Sequence, residues 1–238
     1  MTSAFVFDID GTLADTPGAI AVLIGDVVTG LGAAPTHEEV LATVGKPLEA
    51  SLARLLGVDP GDPATAEAAA RYRQRFAGEV LSRGPGLLLP GVVEGLDRMR
   101  AAGHPLGVAT SKISSSAHAL LRATGILDRF ATVVCHDMVE RGKPHPDMAL
   151  RALAELGAEA AGSWYVGDTA TDMTTAGAAG LRALGVTCGV DRAETLAAAG
   201  ADVVVADFAG VTEVLLGGAP TAHRPLSTLL ADTTGALS

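Results

Sequence analysis

Two aspartates stand two positions apart where a short apolar run ends near the amino terminus. The run 5–7 is followed by residues 8–12, which read Asp-Ile-Asp-Gly-Thr. Residues i and i+2 of an extended chain point to the same side, so the carboxylates of Asp8 and Asp10 repel each other unless a cation or a shared proton intervenes. An Asx turn closing the strand is the plain alternative, but the complete pattern favours a functional site.

A second apolar run ends in hydroxyl groups. Residues 108–112 read Val-Ala-Thr-Ser-Lys, and a helical pattern begins nearby at Ser114. The hydroxyls of Thr110 and Ser111, together with the free amides of a helix N-terminus, form an anion site, although an ordinary helix cap uses the same residue types. Lys112 stands beside them and is a further candidate contact for an anion.

Two more aspartates follow a third apolar run. Residues 164–167 read Trp-Tyr-Val-Gly, Asp168 comes next, and Asp172 stands four positions later at a predicted helix start. Helix capping explains Asp172 alone, but Asp168 at a strand end adds to the repulsion around Asp8 and Asp10. Three or four carboxylates that meet at one sheet edge need a hard cation, and an all-oxygen ligand set favours Mg²⁺ over zinc.

One lysine lies in a loop rather than on a helix face. Lys143 is enclosed in residues 142–146, Gly-Lys-Pro-His-Pro, directly before a helical pattern. The prolines stiffen this loop, so the ammonium group is held in place. Taken alone, such a lysine is more often a solvated surface residue.

The three segments that contain aspartates or hydroxyls stand at the ends of short apolar runs. These runs predict strands covered on both faces, because they are continuous rather than alternating. From about residue 91 onward they alternate with helical patterns. This α/β alternation predicts a parallel sheet with helices on both faces and ligands at the carboxyl ends of its strands. The predicted strands cover residues 4–8, 105–110, 131–136, 163–167, 181–186 and 201–206. The predicted helices cover residues 92–102, 114–124, 146–156, 172–179 and 192–199.

The first part of the chain breaks this alternation and shows helical periodicity alone. Pro17 suits a first helical turn, and Thr36 followed by Glu39 is the pattern of a capping box. The helices predicted here begin at residues 17, 36, 47 and 64, the second ends near Val44, and the fourth continues to Val80. We therefore predict an α/β core from residues 1–14 and 90–216, a helical insert over residues 15–89 with hinges at 15–16 and 84–91, and a tail over 217–238.

The composition argues against several classes of protein. The chain has 238 residues and a net charge of −10 without a basic patch, which disfavours nucleic acid and anionic membranes as partners. Aromatic residues make up 3% of the chain, too few for a surface that stacks bases. No apolar stretch approaches the ~20 residues of a membrane span and no signal peptide pattern opens the sequence, so we expect a cytoplasmic protein.

Together the four segments resemble the signature motifs of the haloacid dehalogenase superfamily: DxDGT, a hydroxyl at the second strand end, a lysine before a helix, and GDxxxD, in that order. The likeness extends over about residues 5–216. It is nearest to phosphoglycolate-phosphatase-like members, because residues 89–92, 142–147 and 199–202 look like that subgroup. The resemblance implies a Rossmann-like parallel sheet core with an inserted all-helical C1 cap.

The resemblance also implies a role for each aspartate. Asp8 would be the nucleophile that attacks phosphorus to give an aspartyl-phosphate, and Asp10 would be first the general acid and then the general base. Mg²⁺ would be held by Asp8, the backbone carbonyl of Asp10, and Asp168. Asp172 would belong to the metal site without binding the ion directly, and it would orient Lys143 or a water molecule bound to the metal.

The same resemblance implies the phosphate contacts. Thr110 would donate its hydroxyl to a phosphoryl oxygen with the backbone amide of Ser111, and Lys143 would neutralise the nucleophile and the transferring group. Lys46 lies in a turn between two helices of the insert. It is a candidate contact for a carboxylate or second phosphate of the leaving group, with a solvated loop lysine as an equal alternative. Lys112 is a second candidate contact for such a group.

These residues predict a Mg²⁺-dependent phosphomonoester hydrolase of the phosphoglycolate-phosphatase-like type, acting on a small phosphorylated metabolite. Asp10 argues against a dehalogenase, since a halide leaves without a proton. A β-phosphoglucomutase-like phosphotransferase is disfavoured because no arginine stands near Leu48, and an inorganic pyrophosphatase is a further alternative. A non-catalytic phosphate-binding module is the alternative from another class, but it has no use for Asp10. The sequence carries no signal for an oligomeric state.

Overall fold

Six short strands form one parallel sheet in the computed structural model, which describes residues 3–217. Across the sheet the strands follow the order β3-β2-β1-β4-β5-β6, and every neighbouring pair is parallel. The six predicted strands are therefore confirmed, each within two residues of its predicted bounds. In chain order they are β1 (Phe5–Phe7), β2 (Leu106–Thr110), β3 (Thr132–Cys135), β4 (Trp164–Gly167), β5 (Arg182–Val186) and β6 (Val203–Val205).

Helices cover both faces of the sheet. Successive residues of a strand therefore point into two different hydrophobic clusters. Phe5 and Phe7 of β1 belong to one cluster, and Val6 between them belongs to the other. This alternation explains why the strands read as continuous apolar runs. The helices of the core are α5 (Val92–Ala101), α6 (Ser114–Ala123), α7 (Asp147–Leu156), α8 (Ala170–Ala178), α9 (Ala193–Ala198) and α10 (Phe208–Leu215).

The last of these helices, α10, is absent from the sequence prediction, whereas α5 to α9 lie where the periodicity places them. Asp207 begins α10 by accepting a hydrogen bond from the Gly210 amide at 2.9 Å, and the Phe208 ring lies 6.0 Å from that of Phe7. A helix of eight residues is marginal alone and is stabilised by such packing, which periodicity does not reveal. The tail predicted over residues 217–238 lies outside the described residues, except for Gly217.

The segment between β1 and α5 is built from helices, as predicted. Thr36 and Glu39 form the predicted capping box, but the helix that follows ends at Leu41 rather than near Val44. The fourth helical pattern does reach Val80, with a change from α-helical to π-helical hydrogen bonding on the way. Within residues 3–217, no helix combines the length and apolar character that crossing a bilayer requires. The helices here are α1 (Pro17–Thr29), α2 (His37–Leu41), α3 (Leu48–Leu56), α4 (Pro63–Arg75), a π-helical turn (Phe76–Val80) and a 3₁₀ segment (Leu81–Leu87).

The chain passes into and out of this helical segment at two adjacent points. Ala14 pairs with Leu88 in an isolated antiparallel bridge, and the Asp15 amide donates a hydrogen bond to the Leu87 carbonyl at 2.8 Å. These contacts lie at the predicted hinges. The boundaries that we predict between core and insert stay predictions.

Replacing Gly95 with alanine tests the packing of α5 on α10. A β-carbon at Gly95 would lie 2.3 Å from Thr212 Oγ1 and 2.8 Å from Phe208 Cε1, far inside van der Waals contact. We expect Gly95→Ala to lower the free energy of unfolding by about 1–3 kcal/mol, as overpacking does, in urea denaturation.

Gly177→Ala in α8 is the matched control, because nothing lies within 4 Å of a β-carbon at that position. We expect this substitution to be neutral or to stabilise the protein by up to about 1 kcal/mol, since alanine is the better helix former. Equal unfolding midpoints for the two variants would contradict the close approach of α5 and α10.

Candidate active site

Three neighbouring strand ends bring the predicted site residues to one edge of the sheet. Strands β2, β1 and β4 are adjacent and parallel, so their carboxyl ends point the same way. Asp8 directly follows β1, Thr110 is the last residue of β2, and Asp168 directly follows β4. The Asp8 amide donates a hydrogen bond to the Val166 carbonyl at 2.9 Å, which fixes the position of Asp8 against β4.

Three buried carboxylates form a cluster at this edge. Asp8, Asp168 and Asp172 each offer one oxygen atom, and these atoms all lie within 4.8 Å of one another. Lys143 reaches into the cluster, where its Nζ donates to Asp8 Oδ1 at 2.7 Å and to Asp172 Oδ1 at 2.6 Å. Its side chain is only 3% exposed. The alternative of a solvated surface lysine is therefore wrong.

Burial and mutual repulsion govern the charges of this cluster. Removal from water is the largest cause of the rise in the pKa of Asp8 to about 7, which Lys143 opposes and Asp172 reinforces. Burial, followed by the charges of Asp172 and Asp8, raises the pKa of Asp168 well above its usual range. Burial favours the neutral form of Lys143, but Asp172 and Asp8 outweigh it and hold the pKa of this lysine well above its usual range. Lys143 is therefore positively charged.

The donor set and its charge fit a divalent cation. When ionised, the three carboxylates carry three negative charges, and the ammonium group of Lys143 compensates one of them. The two charges that remain equal the charge of a divalent ion. All the donors are oxygen atoms, which suit a hard ion such as Mg²⁺.

Asp168 is enclosed by backbone on two sides. Thr12 Oγ1 donates to its Oδ1 at 3.1 Å, and the Val190 amide donates to its Oδ2 at 2.8 Å. A β-carbon at Gly11 or Gly189 would lie 2.1 or 2.0 Å from Oδ2, so only glycine fits beside this carboxylate. Gly189 and Val190 are absent from the predicted site, because a glycine after the fifth strand belongs to no motif.

The start of α8 positions Asp172. The Thr169 amide donates to Asp172 Oδ2 at 3.1 Å, and the Asp172 amide donates to Thr169 Oγ1 at 3.2 Å, which together form a capping box. The helix begins at Ala170, two residues before its predicted start, so Thr169 is the capping residue and Asp172 belongs to the first turn. The contact between Asp172 and Lys143 that the resemblance implies is present.

Asp10 has partners of its own, outside the cluster. Lys112 Nζ lies 3.0 Å from its Oδ2, and Thr16 Oγ1 donates to its Oδ1 at 2.5 Å. Lys112 Nζ also lies 4.7 Å from the centre of the Phe76 ring, so this lysine connects the sheet edge to the helical segment. Neither Thr16 nor Phe76 stands in a motif, and both contacts exist only because the helices fold back over the strand ends.

A cavity of about 220 Å³ lies between the strand ends and the helices that follow β1. The Thr110 hydroxyl accepts a hydrogen bond from the Lys112 amide at 3.3 Å, which leaves its proton available to a ligand. The structure thus brings Thr110, Ser111 and Lys112 to one cavity and places Lys46 in its walls, whereas Lys143 is not among the lining residues. The predicted site residues that line this cavity are Asp8, Asp10, Lys46, Thr110, Ser111 and Lys112.

Comparisons with known proteins agree with this arrangement. The family model of haloacid dehalogenase-like hydrolases matches residues 5–186. A protein of Dickeya dadantii (strain 3937) named "Probable phosphatase IndB" is 41% identical over 212 residues, covering 89% of this chain and 92% of that protein. The phosphoglycolate phosphatase of Pectobacterium atrosepticum is 30% identical over 213 residues, covering 88% of this chain and 90% of that protein. The crystal structure of a CbbY mutant from Rhodobacter sphaeroides with xylulose-(1,5)bisphosphate has a TM-score of 0.74 at 29% identity, covering 88% of this chain and 96% of that one.

The matched segment begins in β1 and ends in β5, so it contains all four motifs. The resemblance that these motifs carry is therefore confirmed, together with the parallel α/β fold. Relatives named as phosphatases, similar over most of both chains, agree with the predicted class of enzyme. The chain belongs to the haloacid dehalogenase-like hydrolases and is an enzyme of the phosphatase type.

Proposed function

We propose that the protein is a Mg²⁺-dependent phosphomonoester hydrolase that acts on a small phosphorylated metabolite through an aspartyl-phosphate. The observation that carries the proposal is the buried ion-paired group of Asp8, Asp172 and Lys143 beside the cavity. A buried lysine bound to two carboxylates is costly to maintain, which supports a catalytic role for the group. The size of the cavity supports a small substrate.

Asp8, Asp168 and the backbone carbonyl of Asp10 would hold the Mg²⁺ ion. The bound ion would supply positive charge to the nucleophile and to the oxygens of the transferring phosphoryl group. The carboxylate of Asp172 already binds Lys143 and Thr169. This supports a role for Asp172 beside the metal ligands, without direct contact to the ion.

In the first step, a carboxylate oxygen of Asp8 attacks phosphorus in line, and the bond between phosphorus and the alcohol oxygen breaks. Negative charge on the phosphoryl oxygens is stabilised by the Thr110 hydroxyl, the Ser111 amide and the Lys143 ammonium group. Protonated Asp10 donates its proton to the leaving oxygen, and the alcohol departs. The carboxylate of Asp10 lines the same cavity as Asp8, which supports this division of roles.

In the second step, ionised Asp10 accepts a proton from water, whose oxygen attacks the phosphorus of the aspartyl-phosphate. Phosphate leaves, Asp8 regains its carboxylate, and Asp10 is again protonated. The helices of the insert would act as a cap that limits access of water during the first step. The adjacent crossings at Ala14 and Leu88 are the joints about which such a cap would move.

A β-phosphoglucomutase-like phosphotransferase is the second candidate, because Lys46 and Arg73 of the cavity wall could bind a second phosphate. Glu49 stands against this role, since its carboxylate binds Arg73 and opposes a doubly charged group at that place. An inorganic pyrophosphatase would use the same core, and a non-catalytic binding module would show no turnover. A panel of phosphate esters, pyrophosphate and a hexose bisphosphate separates these candidates.

Removing the nucleophile tests the covalent step. We expect Asp8→Asn to lower the turnover of p-nitrophenyl phosphate by about a thousandfold or more, since an amide oxygen is a poor nucleophile, without loss of the folded state. Asp15→Asn is the matched control, because Asp15 is an exposed carboxylate of the same segment. Native turnover in Asp8→Asn, with folding checked by circular dichroism, would show that Asp8 forms no covalent intermediate.

Thermal unfolding tests the metal site without relying on activity. A ligand at a hundredfold its Kd stabilises the native state by about 2.7 kcal/mol. This corresponds to a rise in Tm of about 5–10 °C for a domain of this size. We expect Mg²⁺ to produce such a rise in the wild type and in Asp15→Asn, and less than about 2 °C in Asp168→Asn. An undiminished rise in Asp168→Asn would remove Asp168 from the metal site.

A further inference from the structure

The walls of the cavity differ in character from the strand ends at its base. Asp8, Asp10 and Thr110 line the base, where the phosphate of a bound ester would lie. The leaving group of that ester must then occupy the remaining volume between α6 and the helical insert. The chemistry of the walls therefore bears directly on the alcohol part of the substrate.

Most of the wall is apolar. Two of its side chains are aromatic: Tyr72 and Phe76 stand four residues apart on one helical face, with ring centroids 5.7 Å apart in a stacked arrangement. The π-helical turn that begins at Phe76 follows directly, at the place where α4 ends against the cavity. The larger apolar residues of the wall are Ile20, Ile24, Leu48, Tyr72, Phe76, Leu81 and Ile113.

A small polar group lies in the wall formed by the insert. Lys46, Glu49 and Arg73 line the cavity together, and Arg73 binds Glu49 through one of its terminal nitrogens. Arg73 Nε is buried and has no hydrogen-bond partner among the described residues. Two cations against one carboxylate leave one positive charge and at least one donor in this wall, which suits a hydrogen-bond acceptor of the ligand.

We propose that the natural leaving group is a ring-bearing alcohol that carries a hydrogen-bond acceptor on the side away from the phosphate. The ring packs against Tyr72 and Phe76, and the acceptor meets Arg73 and Lys46. This inference rests on the proposed phosphatase activity and narrows its substrate. A two-carbon leaving group such as glycolate has little apolar surface to bury against this wall.

The first experiment compares the kcat/KM values of ethyl phosphate, 2-phenylethyl phosphate and phosphoglycolate with the wild-type enzyme in Mg²⁺. The first two are primary alkyl esters that differ only in the ring. We expect the ring ester to exceed both others by about tenfold or more, as burial of a few apolar carbons does in a fitted site. Equal or higher values for ethyl phosphate or phosphoglycolate would overturn the inference while the phosphatase function stands. Failure to hydrolyse any ester would overturn the proposed function itself.

A second experiment fills the cavity. Ala119 of α6 lines the cavity and is half-buried. A larger side chain there extends into the space that the ring of the substrate would occupy. We expect Ala119→Leu to lower the ratio of kcat/KM for 2-phenylethyl phosphate over ethyl phosphate by about tenfold. Ala101→Leu, at an exposed position of α5 outside the cavity, should leave the ratio unchanged. An unchanged ratio in folded Ala119→Leu would contradict the assignment; if that variant does not fold, Phe76→Leu replaces it, with the same expectation.

The acceptor is tested with 2-(4-acetylphenyl)ethyl phosphate against 2-phenylethyl phosphate. We expect the wild type to prefer the acetyl compound, and Arg73→Gln to reduce that preference by about tenfold, since a hydrogen bond to a charged donor is lost. Arg71→Gln is the matched control, because Arg71 lies on the same helix and binds Glu67 at an exposed position. No preference in the wild type, or an equal change in both variants, would overturn the role given to Arg73.

Discussion

The site depends on balancing negative charge among carboxylates that are almost completely buried. Asp8, Asp168 and Asp172 are all buried at one sheet edge, where their negative charges repel one another. Lys143 offsets part of this repulsion, because its ammonium group binds Asp8 and Asp172 simultaneously. Buried ions require well-formed partners, so the loop that carries Lys143 and the first turn of α8 must hold a fixed distance from β1. The chemistry and the packing of the edge therefore impose the same geometry.

The parallel sheet supplies that geometry directly, because the site residues stand at or next to the ends of its strands. Because β2, β1 and β4 are neighbours with the same direction, residues that are far apart in the chain meet as soon as each strand ends. Glycine completes the arrangement where side chains would collide, as at Gly11 and Gly189 on either side of Asp168. The helical segment then adds a second wall of quite different chemistry, apolar and aromatic, above a charged base. One cavity combines a general reaction centre with a surface that can select among substrates.

The sequence predicts the sheet well because strands buried on both faces give continuous apolar runs. It points to Asp8 and Asp168 because each stands at a strand end, whereas Lys143 is singled out by the resemblance to the superfamily. Features created by packing between distant segments escape it. The helix α10 is stabilised by packing such as that of Phe208 on Phe7, which periodicity does not reveal. Thr16 is an ordinary threonine until the fold brings it to Asp10. Tyr72 and Phe76 fit a helical pattern, but their spacing does not tell whether the face they share meets a core or a cavity. The change to π-helical hydrogen bonding at Phe76 has no signal in composition either.

The bridge between Ala14 and Leu88 has a consequence for how such chains diversify. Backbone hydrogen bonds at Ala14, Asp15 and Leu88 hold the two ends of the intervening helices together beside the sheet. The entropy of closing that stretch as a loop grows slowly with its length, so it can be lengthened at a small entropic cost. Recombination at these two positions offers a route by which one reaction centre acquires new specificities while its own residues stay in register.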